Sequence, residues 1–130
     1  HGGRQLDHGR GALDFLPECV EAAKGRAKIM FDSGVMRGTD VVKAMGLGAD
    51  LVGIGRLPCL ALAANGAEGV ANMFEILENE IQTDMGLMGA RNWGELERSQ
   101  FVSAPPVEDP HVMSAFNLLN LDNKPDNRFY

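Results

Sequence analysis

The sequence predicts an α/β fold in which short parallel strands alternate with helices. Two apolar, strand-like runs lie at residues 28–31 and 50–54, separated by about the length of one helix. Each run ends in a loop with glycine and arginine: residues 32–38 after the first run and Gly55-Arg56 after the second. The loops after the last two strands of a (β/α)₈ barrel often bind phosphate. We therefore predict the C-terminal part of a (β/α)₈ TIM barrel, about its last two strands and helices, followed by a tail.

The first predicted helix spans residues 13–24, where apolar residues recur at helical spacing on one side. These residues are Leu16, Val20 and Ala23. Gly25 is expected to end the helix, because glycine readily adopts the left-handed conformation of a C-cap. The strand at residues 28–31 follows, and residues 32–38 form its exit loop.

A second helix is predicted at residues 39–47, between the two strands. Thr39 or Asp40 is its expected N-cap, since hydroxyl and carboxylate oxygens accept hydrogen bonds from the free backbone N–H groups of a first turn. Its expected inward residues are Val42, Ala44 and Met45. Glycines end this helix before the second strand, predicted at residues 51–54.

Two helical segments are predicted after the second strand. The first is short and apolar, at residues 57–64, and the second is long, at about residues 66–88. The long segment has apolar residues every three to four positions, which predicts a buried stripe. The stripe comprises Val70, Phe74, Leu77, Ile81 and Met85.

The character of the sequence changes near residue 98, which divides the chain into a barrel portion, residues 1–98, and a tail, residues 99–130. Proline in residues 104–110 predicts an extended linker. Asp109 can cap a short terminal helix that has Pro110 in its first turn. We expect the apolar stripe of that helix to cover a surface at a subunit interface. The stripe comprises Val112, Phe116 and Leu119.

The length of the chain, 130 residues, is short for a barrel, because a complete (β/α)₈ barrel needs roughly 250 residues. The sequence also begins without an initiator methionine. One third of a barrel would leave its sheet edges open. We therefore expect the C-terminal third of a longer polypeptide, partnered by a longer N-terminal fragment or chain of the same protein.

The composition excludes some classes of partner. The formal net charge of −6 and the absence of a basic stripe argue against nucleic acid. Cys19 falls in a predicted helix and Cys59 just after a strand, so both are expected to be buried free thiols. Free thiols are typical of reducing compartments, which predicts a cytoplasmic location. No apolar run approaches the roughly 20 residues that span a membrane.

The candidate binding residues lie at the two strand ends. Small residues let backbone N–H groups approach an anion, and an arginine guanidinium can clamp it. A structural alternative remains, because glycines often end strands and Arg56 could form a surface ion pair. A glycine-flanked loop at the start of the sequence adds a titratable imidazole, His1, and a guanidinium suited to a carboxylate, Arg4. No metal site is predicted.

Five motifs occur in a characteristic order. They are His1-Gly2-Gly3-Arg4-Gln5-Leu6-Asp7, Asp32-Ser33-Gly34-Val35, Arg37-Gly38-Thr39-Asp40, Leu47-Gly48-Ala49 and Gly55-Arg56. With these motifs the chain resembles the FMN-dependent α-hydroxy acid oxidase and dehydrogenase family. The resemblance runs from His1 to about Leu96 and implies FMN as the cofactor. It also implies oxidation of a small 2-hydroxy acid to a 2-oxo acid.

The resemblance further implies roles for the matching residues. His1 matches the catalytic base and lies in the substrate site with Arg4, which matches the arginine that binds the substrate carboxylate. The positions implied to bind FMN are Asp32, Ser33, Gly34, Val35, Met36, Gly55 and Arg56. Family members commonly assemble as tetramers, so the resemblance also implies a homo- or hetero-oligomer of barrels.

The chain departs from the family at one position. Two consecutive arginines usually follow the valine of the second motif, whereas this sequence has Met36-Arg37. The resemblance therefore implies one ionic contact fewer near the flavin or its phosphate. Arg56 and backbone amides would then hold the phosphate. Two alternatives stay open. One is another FMN- or phosphate-binding barrel, similar to IMP dehydrogenase or type 2 isopentenyl-diphosphate isomerase, and the other is a non-catalytic fragment that completes a barrel.

Overall fold

The computed structural model describes residues 9–104 of the chain. Its regular elements alternate between helix and strand in the order α1, β1, α2, β2, α3. They are α1 (Ala12–Ala23), β1 (Met30–Asp32), α2 (Gly38–Gly46), β2 (Leu51–Gly53) and α3 (Arg56–Met88). Two short 3₁₀ helices follow, Trp93–Glu95 and Arg98–Gln100. The described chain is therefore an α/β unit, as the strand–helix alternation predicts.

The two strands form a parallel pair connected by α2. Met30 pairs with Leu51, Phe31 with Val52 and Asp32 with Gly53. Parallel neighbours need a crossover connection, which α2 provides. Because the strands run in the same direction and in register, the loops that leave them start side by side at one edge of the sheet.

Apolar side chains from α1, β1 and α2 form the main core. The buried members are Leu16, Phe31, Val35, Ala44 and Ala49, with Val20, Met45 and Val52 half-buried against them. Asp50 anchors the start of the sheet, since its carboxylate accepts hydrogen bonds from Lys28 Nζ at 2.6 Å and from the backbone N–H of Ile29 at 2.8 Å. The core thus fixes the strand pair from which the two loops emerge.

Helix α3 consists of two helical segments. Its backbone leaves the helical conformation at Asn65 and Gly66, where Gly66 has φ +55°. The predicted division into a short segment and a long one is confirmed. The long segment packs on α2 and buries Met73 and Leu77.

The observed element bounds differ slightly from the predicted ones. Helix α1 ends at Ala23, and Lys24 adopts the left-handed cap conformation with φ 50° before Gly25. The first strand begins two residues later than predicted, at Met30, and the second ends at Gly53. Helix α2 starts at Gly38 with Arg37 as its N-cap, so the predicted N-cap at Thr39 or Asp40 is wrong.

Three predictions of burial are wrong. Phe74 is 53% exposed, whereas Met73 beside it is buried. Leu77 is buried as predicted, so Met73, one turn before it, takes the inward position expected of Phe74. Cys19 and Cys59 are both exposed free thiols. Cys19 lies beside the inward stripe of α1, and Cys59 lies in the first turns of α3, where its Sγ is 3.8 Å from the carbonyl oxygen of Gly55.

Within residues 9–104, no helix combines the length and the apolar character needed to cross a membrane. The predicted terminal helix of the tail, with Val112, Phe116 and Leu119, lies outside the described residues.

Candidate active site

The loops that follow β1 and β2 meet at the carboxyl edge of the sheet. Asp32 ends β1, and Gly53, its partner in the register, ends β2. Two residues further on, Gly55 is the N-cap of α3. In α/β proteins with parallel sheets, ligands bind at this edge.

A small cavity of about 80 Å³ lies between the two loops. Its lining residues are Asp32, Ser33, Gly34, Val35, Met36, Gly55 and Arg56. They are the same seven positions that the sequence motifs single out for binding. Sites for whole small molecules usually measure about 300–1,000 Å³. By volume this cavity holds roughly two to three water molecules, which matches one compact anionic group.

The backbone of the first loop is held in conformations that side chains rarely adopt. Ser33 has φ 145° and Gly34 has φ 71°. Glycine accepts a positive φ without a steric penalty. For a non-glycine residue such as Ser33 the conformation costs about 1–3 kcal/mol, and strain of this kind is concentrated at functional sites.

The second wall of the cavity is the N-terminus of α3. Gly55 and Arg56 line the cavity and begin the helix. The first turn of a helix has backbone N–H groups without intrahelical partners, and the helix dipole is positive there. Arg56 adds a guanidinium, so this wall favours an anion.

Two carboxylates hold the loop between β1 and α2. Asp40 Oδ2 accepts hydrogen bonds from the backbone N–H groups of Met36 and Arg37, both at 3.1 Å. Glu80 Oε1 accepts two from the Arg37 guanidinium, at 3.1 and 2.8 Å, and Glu80 Oε2 accepts one from the backbone N–H of Gly38 at 2.6 Å. The loop is thereby tied both to the first turn of α2 and to α3.

These contacts shift the pKa values of Glu80 and Arg37. Partial burial raises the pKa of Glu80, but the hydrogen bonds from Arg37 and Gly38 and the charge of Arg37 outweigh that effect, so the pKa is lowered overall. The hydrogen bond and charge of Glu80 raise the pKa of Arg37. Both groups are therefore charged at neutral pH. Arg37, one of the two arginines at the strand ends, forms an ion pair with Glu80 and is absent from the cavity lining.

A larger cavity, of about 380 Å³, lies between α2 and α3. It is lined by Thr39, Val42, Lys43, Asp84, Leu87, Met88, Gln100 and Phe101. None of these residues leaves the carboxyl end of a strand, and none belongs to the predicted binding set. Size favours this cavity, whereas position in the fold favours the smaller one at the strand ends, which we take as the candidate site.

The two residues predicted to contact the substrate, His1 and Arg4, lie outside the described residues. Of the predicted site, the structure thus describes the seven positions at the strand ends.

A comparison with protein families identifies the family of the chain. Residues 1–103 match the model of the family described as FMN-dependent dehydrogenase. The chain belongs to the FMN-dependent dehydrogenase family. The match includes both strand-end loops and the motif that contains His1 and Arg4.

Individual relatives within the FMN-dependent dehydrogenase family match the same part of the chain. An L-lactate oxidase of Lentilactobacillus hilgardii is 42% identical over 103 residues, which are 79% of this chain and 28% of the relative. Glycolate oxidase 3 of Arabidopsis thaliana is 41% identical over 115 residues, covering 88% of this chain and 31% of the relative. The chain thus spans about three tenths of the length of these relatives.

A solved structure of mandelate oxidase, a mutant with the monooxide FMN adduct, superposes with a TM-score of 0.70. It is 42% identical, and the superposition covers 75% of this chain and 31% of that one. The superposed part of the chain therefore has the fold of the corresponding part of mandelate oxidase.

Sequence reasoning missed Glu80 as a residue that holds the binding loop. Glu80 lies 43 positions from Arg37, so no local motif links them. Asp40 is not the N-cap. It lies at the third position after the N-cap, and its carboxylate accepts a hydrogen bond from the backbone N–H of Arg37. An acidic residue at this spacing is a signal that a capping analysis could have used.

Proposed function

We propose that this chain forms part of an enzyme that oxidises a small 2-hydroxy acid to a 2-oxo acid with FMN as cofactor. The observation that carries the proposal is the cavity at the carboxyl edge of the sheet, because its seven lining residues are the positions that the family resemblance implies for FMN binding, with Met36 as the one departure from the family pattern. Lactate, glycolate and mandelate, the compounds in the relatives' names, are all 2-hydroxy acids.

The described residues fit the phosphate end of FMN. Arg56 and the first turn of α3 offer positive charge and N–H donors, and the cavity has the volume of one compact anion. The loop at Ser33 and Gly34 has small residues that allow the backbone to approach a ligand closely. Asp32, at the mouth of the same loop, can accept hydrogen bonds from ribityl hydroxyl groups.

The chemistry divides between the cofactor and residues of the chain. FMN, when bound, supplies the capacity to accept the equivalent of a hydride from the substrate. Arg4 holds the substrate carboxylate through its planar pair of donors, which fixes the orientation of C2. His1 acts as the base, since an imidazole with a pKa near 6.5 accepts a proton at neutral pH. The proton it takes is that of the hydroxyl group or that of C2.

The proposal includes further parts of the protein beyond this chain. Met30 and Leu51, on paired positions of the two strands, are 64% and 61% exposed. Such side chains are ordinarily covered in the centre of a barrel, where strand residues pack in layers. We infer that the chain is the C-terminal part of a (β/α)₈ barrel and that a longer N-terminal portion of the same enzyme completes it. The free thiols agree with a reducing compartment such as the cytoplasm.

The other barrel enzymes considered, those similar to IMP dehydrogenase and type 2 isopentenyl-diphosphate isomerase, have less support, because the family match covers residues 1–103. The non-catalytic fragment is distinguished from an enzyme by the test that follows.

The test separates the two arginines in the full-length protein that contains this chain. Arg56→Ala should lower FMN content, because it removes the guanidinium from the cavity. Arg4→Lys should leave flavin content unchanged but weaken substrate binding and slow flavin reduction, because lysine lacks the bidentate fork. Arg91→Ala is the control, since Arg91 is exposed and pairs with Glu95 away from the cavity.

Flavin absorbance of the purified protein and the rate of its bleaching by 2-hydroxy acids measure both effects. A wild-type protein that retains no flavin absorbance after incubation with FMN and removal of the free FMN would contradict the proposal and favour the non-catalytic fragment. Flavin loss in Arg4→Lys together with normal flavin in Arg56→Ala would show that the two sites are assigned to the wrong residues.

A further inference from the structure

Glu80 uses both carboxylate oxygens to hold the start of α2 against α3. Oε1 accepts from Arg37 Nε at 3.1 Å and from one of its terminal nitrogens at 2.8 Å, while Oε2 accepts from the Gly38 backbone N–H at 2.6 Å. The side chain of Glu80 is 24% exposed, so water competes only partly for these bonds. A charged acceptor with three donors is a strong and directional contact.

The backbone at Gly38 lies directly on α3. A Cβ atom at this position would be 2.5 Å from Glu80 Cβ and 2.7 Å from the Leu77 carbonyl oxygen. No side chain fits in that space, and Gly38 is buried. The carboxylate of Glu80 therefore fixes the start of α2 at a contact that leaves little freedom of position.

This contact lies immediately after the loop that lines the cavity. Ser33 to Met36 form one wall of the cavity, and Arg37 and Gly38 follow them directly. The opposite wall, Gly55 and Arg56, begins the short segment of α3, whereas Glu80 lies on the long segment, beyond the break at Asn65 and Gly66. Glu80 therefore holds the loop of one wall against the long segment of α3.

We propose that Glu80 is a positioning residue for the cofactor, which fixes the wall of the phosphate cavity that the loop at Ser33 to Met36 forms. This inference rests on the function proposed above. Glu80 does not line the cavity. It acts through Arg37 and Gly38, and its loss should widen the range of positions that the loop at Ser33 to Met36 adopts.

A matched control exists in the same chain. The Glu95 carboxylate accepts a hydrogen bond from the backbone N–H of Arg91 at 2.9 Å and two from the Arg91 guanidinium at 3.3 and 2.9 Å. The chemistry is that of the Glu80 site, one carboxylate with an arginine and a backbone donor. Neither Arg91 nor Glu95 belongs to the cavity lining or the loops beside it. Glu95→Gln therefore reproduces the loss of charge without the link to the cavity.

The experiment compares Glu80→Gln and Glu95→Gln in the full-length holoenzyme. FMN is removed, and its Kd is measured by the quenching of flavin fluorescence on rebinding. The Kd should rise about tenfold in Glu80→Gln, a change equivalent to about 1.4 kcal/mol, and less than about twofold in Glu95→Gln. At saturating FMN, kcat in Glu80→Gln should return to near the wild-type value, because the variant changes occupancy and leaves the reacting groups in place.

A second variant covers the case in which Glu80→Gln fails to fold. Arg37→Gln removes the guanidinium but keeps the bond from Gly38 to Glu80, so it should raise the FMN Kd by a smaller factor. Equal Kd values in Glu80→Gln, Arg37→Gln and Glu95→Gln, with only the melting temperature lowered, would overturn the positioning role while leaving the proposed function intact. A wild-type protein without affinity for FMN would overturn both.

Discussion

Single residues at the strand ends determine the charge of the candidate site. Among the seven cavity-lining residues, Arg56 is the cationic one and Asp32 the anionic one. Met36 lies in the lining where the family resemblance implies a first arginine, and the neighbouring Arg37 pairs with Glu80. The side chain of Arg37 therefore points to Glu80 on α3. The cavity therefore offers a phosphate group one guanidinium where the family pattern has two cationic candidates.

This reasoning predicts a gain of affinity from a single substitution. Met36→Arg should lower the Kd for FMN by about tenfold, or about 1.4 kcal/mol, because it adds a charge-assisted donor to the cavity wall. Met36→Leu keeps the position apolar and should leave the Kd unchanged. Fluorescence titration of the apoprotein measures both. An unchanged or higher Kd in Met36→Arg would mean that the side chain at this position does not reach the phosphate.

The residues that line the cavity could be predicted to lie together, because they follow the two predicted strands directly in the sequence. Each of the two loops directly follows a strand, and parallel pairing brings the strand ends together. Exposure was predicted less well, as Cys19, Cys59 and Phe74 demonstrate. The burial of a helical residue depends on how the helix packs against its neighbours: Met73 and Phe74 both lie within one turn of the buried Leu77, and the sequence alone does not show which of them faces inward.

At the scale of elements, the contact between α2 and α3 holds the loop of the candidate site in place. The break at Asn65 and Gly66 could be predicted, since it lies where two apolar patterns meet around a glycine. The N-cap of α2 could not be predicted in the same way. Its start is fixed by Glu80 from another helix, and a contact between residues so far apart in sequence leaves no local signal.

The close approach at Gly38 predicts a stability difference between two glycines. Gly38→Ala should destabilise the protein by about 1–3 kcal/mol, because the added methyl group overlaps with α3 and forces the helices apart. Gly86→Ala should stabilise it by about 0.5–1 kcal/mol, because Gly86 lies in α3 with open space around it and alanine favours helix.

Chemical denaturation of the full-length protein measures both values, and FMN titration of the same samples adds a second readout. Gly38→Ala should also raise the FMN Kd, whereas Gly86→Ala should not. A Gly38→Ala protein as stable as the wild type would contradict the close packing of α2 on α3.

At the scale of the whole molecule, the described part of the chain exposes apolar surface that a complete barrel would cover. Met30 and Leu51 are exposed on the strands, and Leu87 is 83% exposed on α3. The family match covers most of this chain but only about three tenths of each relative. The sequence predicts a partial barrel from its length and from its two strand–helix units, which cannot close a sheet. It could not predict which surfaces stay exposed in this part of the chain, because exposure depends on how the helices pack.

The final prediction concerns the tail at residues 105–130, which lies outside the described residues. Phe101, just before it, packs against Gly46 of α2, so the chain reaches the tail from the outer, helical side of the sheet. The tail sequence has Pro105-Pro106 and the apolar stripe of Val112, Phe116 and Leu119. Each large apolar side chain left in water is unfavourable by about 1.5–3 kcal/mol. We therefore propose that the stripe is buried at a subunit interface, away from the strand ends.

Deletion of residues 105–130 should shift the full-length enzyme to smaller assemblies in light scattering, while its flavin content and its reduction by 2-hydroxy acids stay close to those of the intact protein. Replacing Val112, Phe116 and Leu119 by serine tests the stripe itself. This variant keeps the length of the tail and so serves as the control for the deletion. Both changes should act alike, because the apolar side chains, rather than the length of the tail, bury the surface. An intact oligomer that has lost turnover would instead assign the tail to the active site.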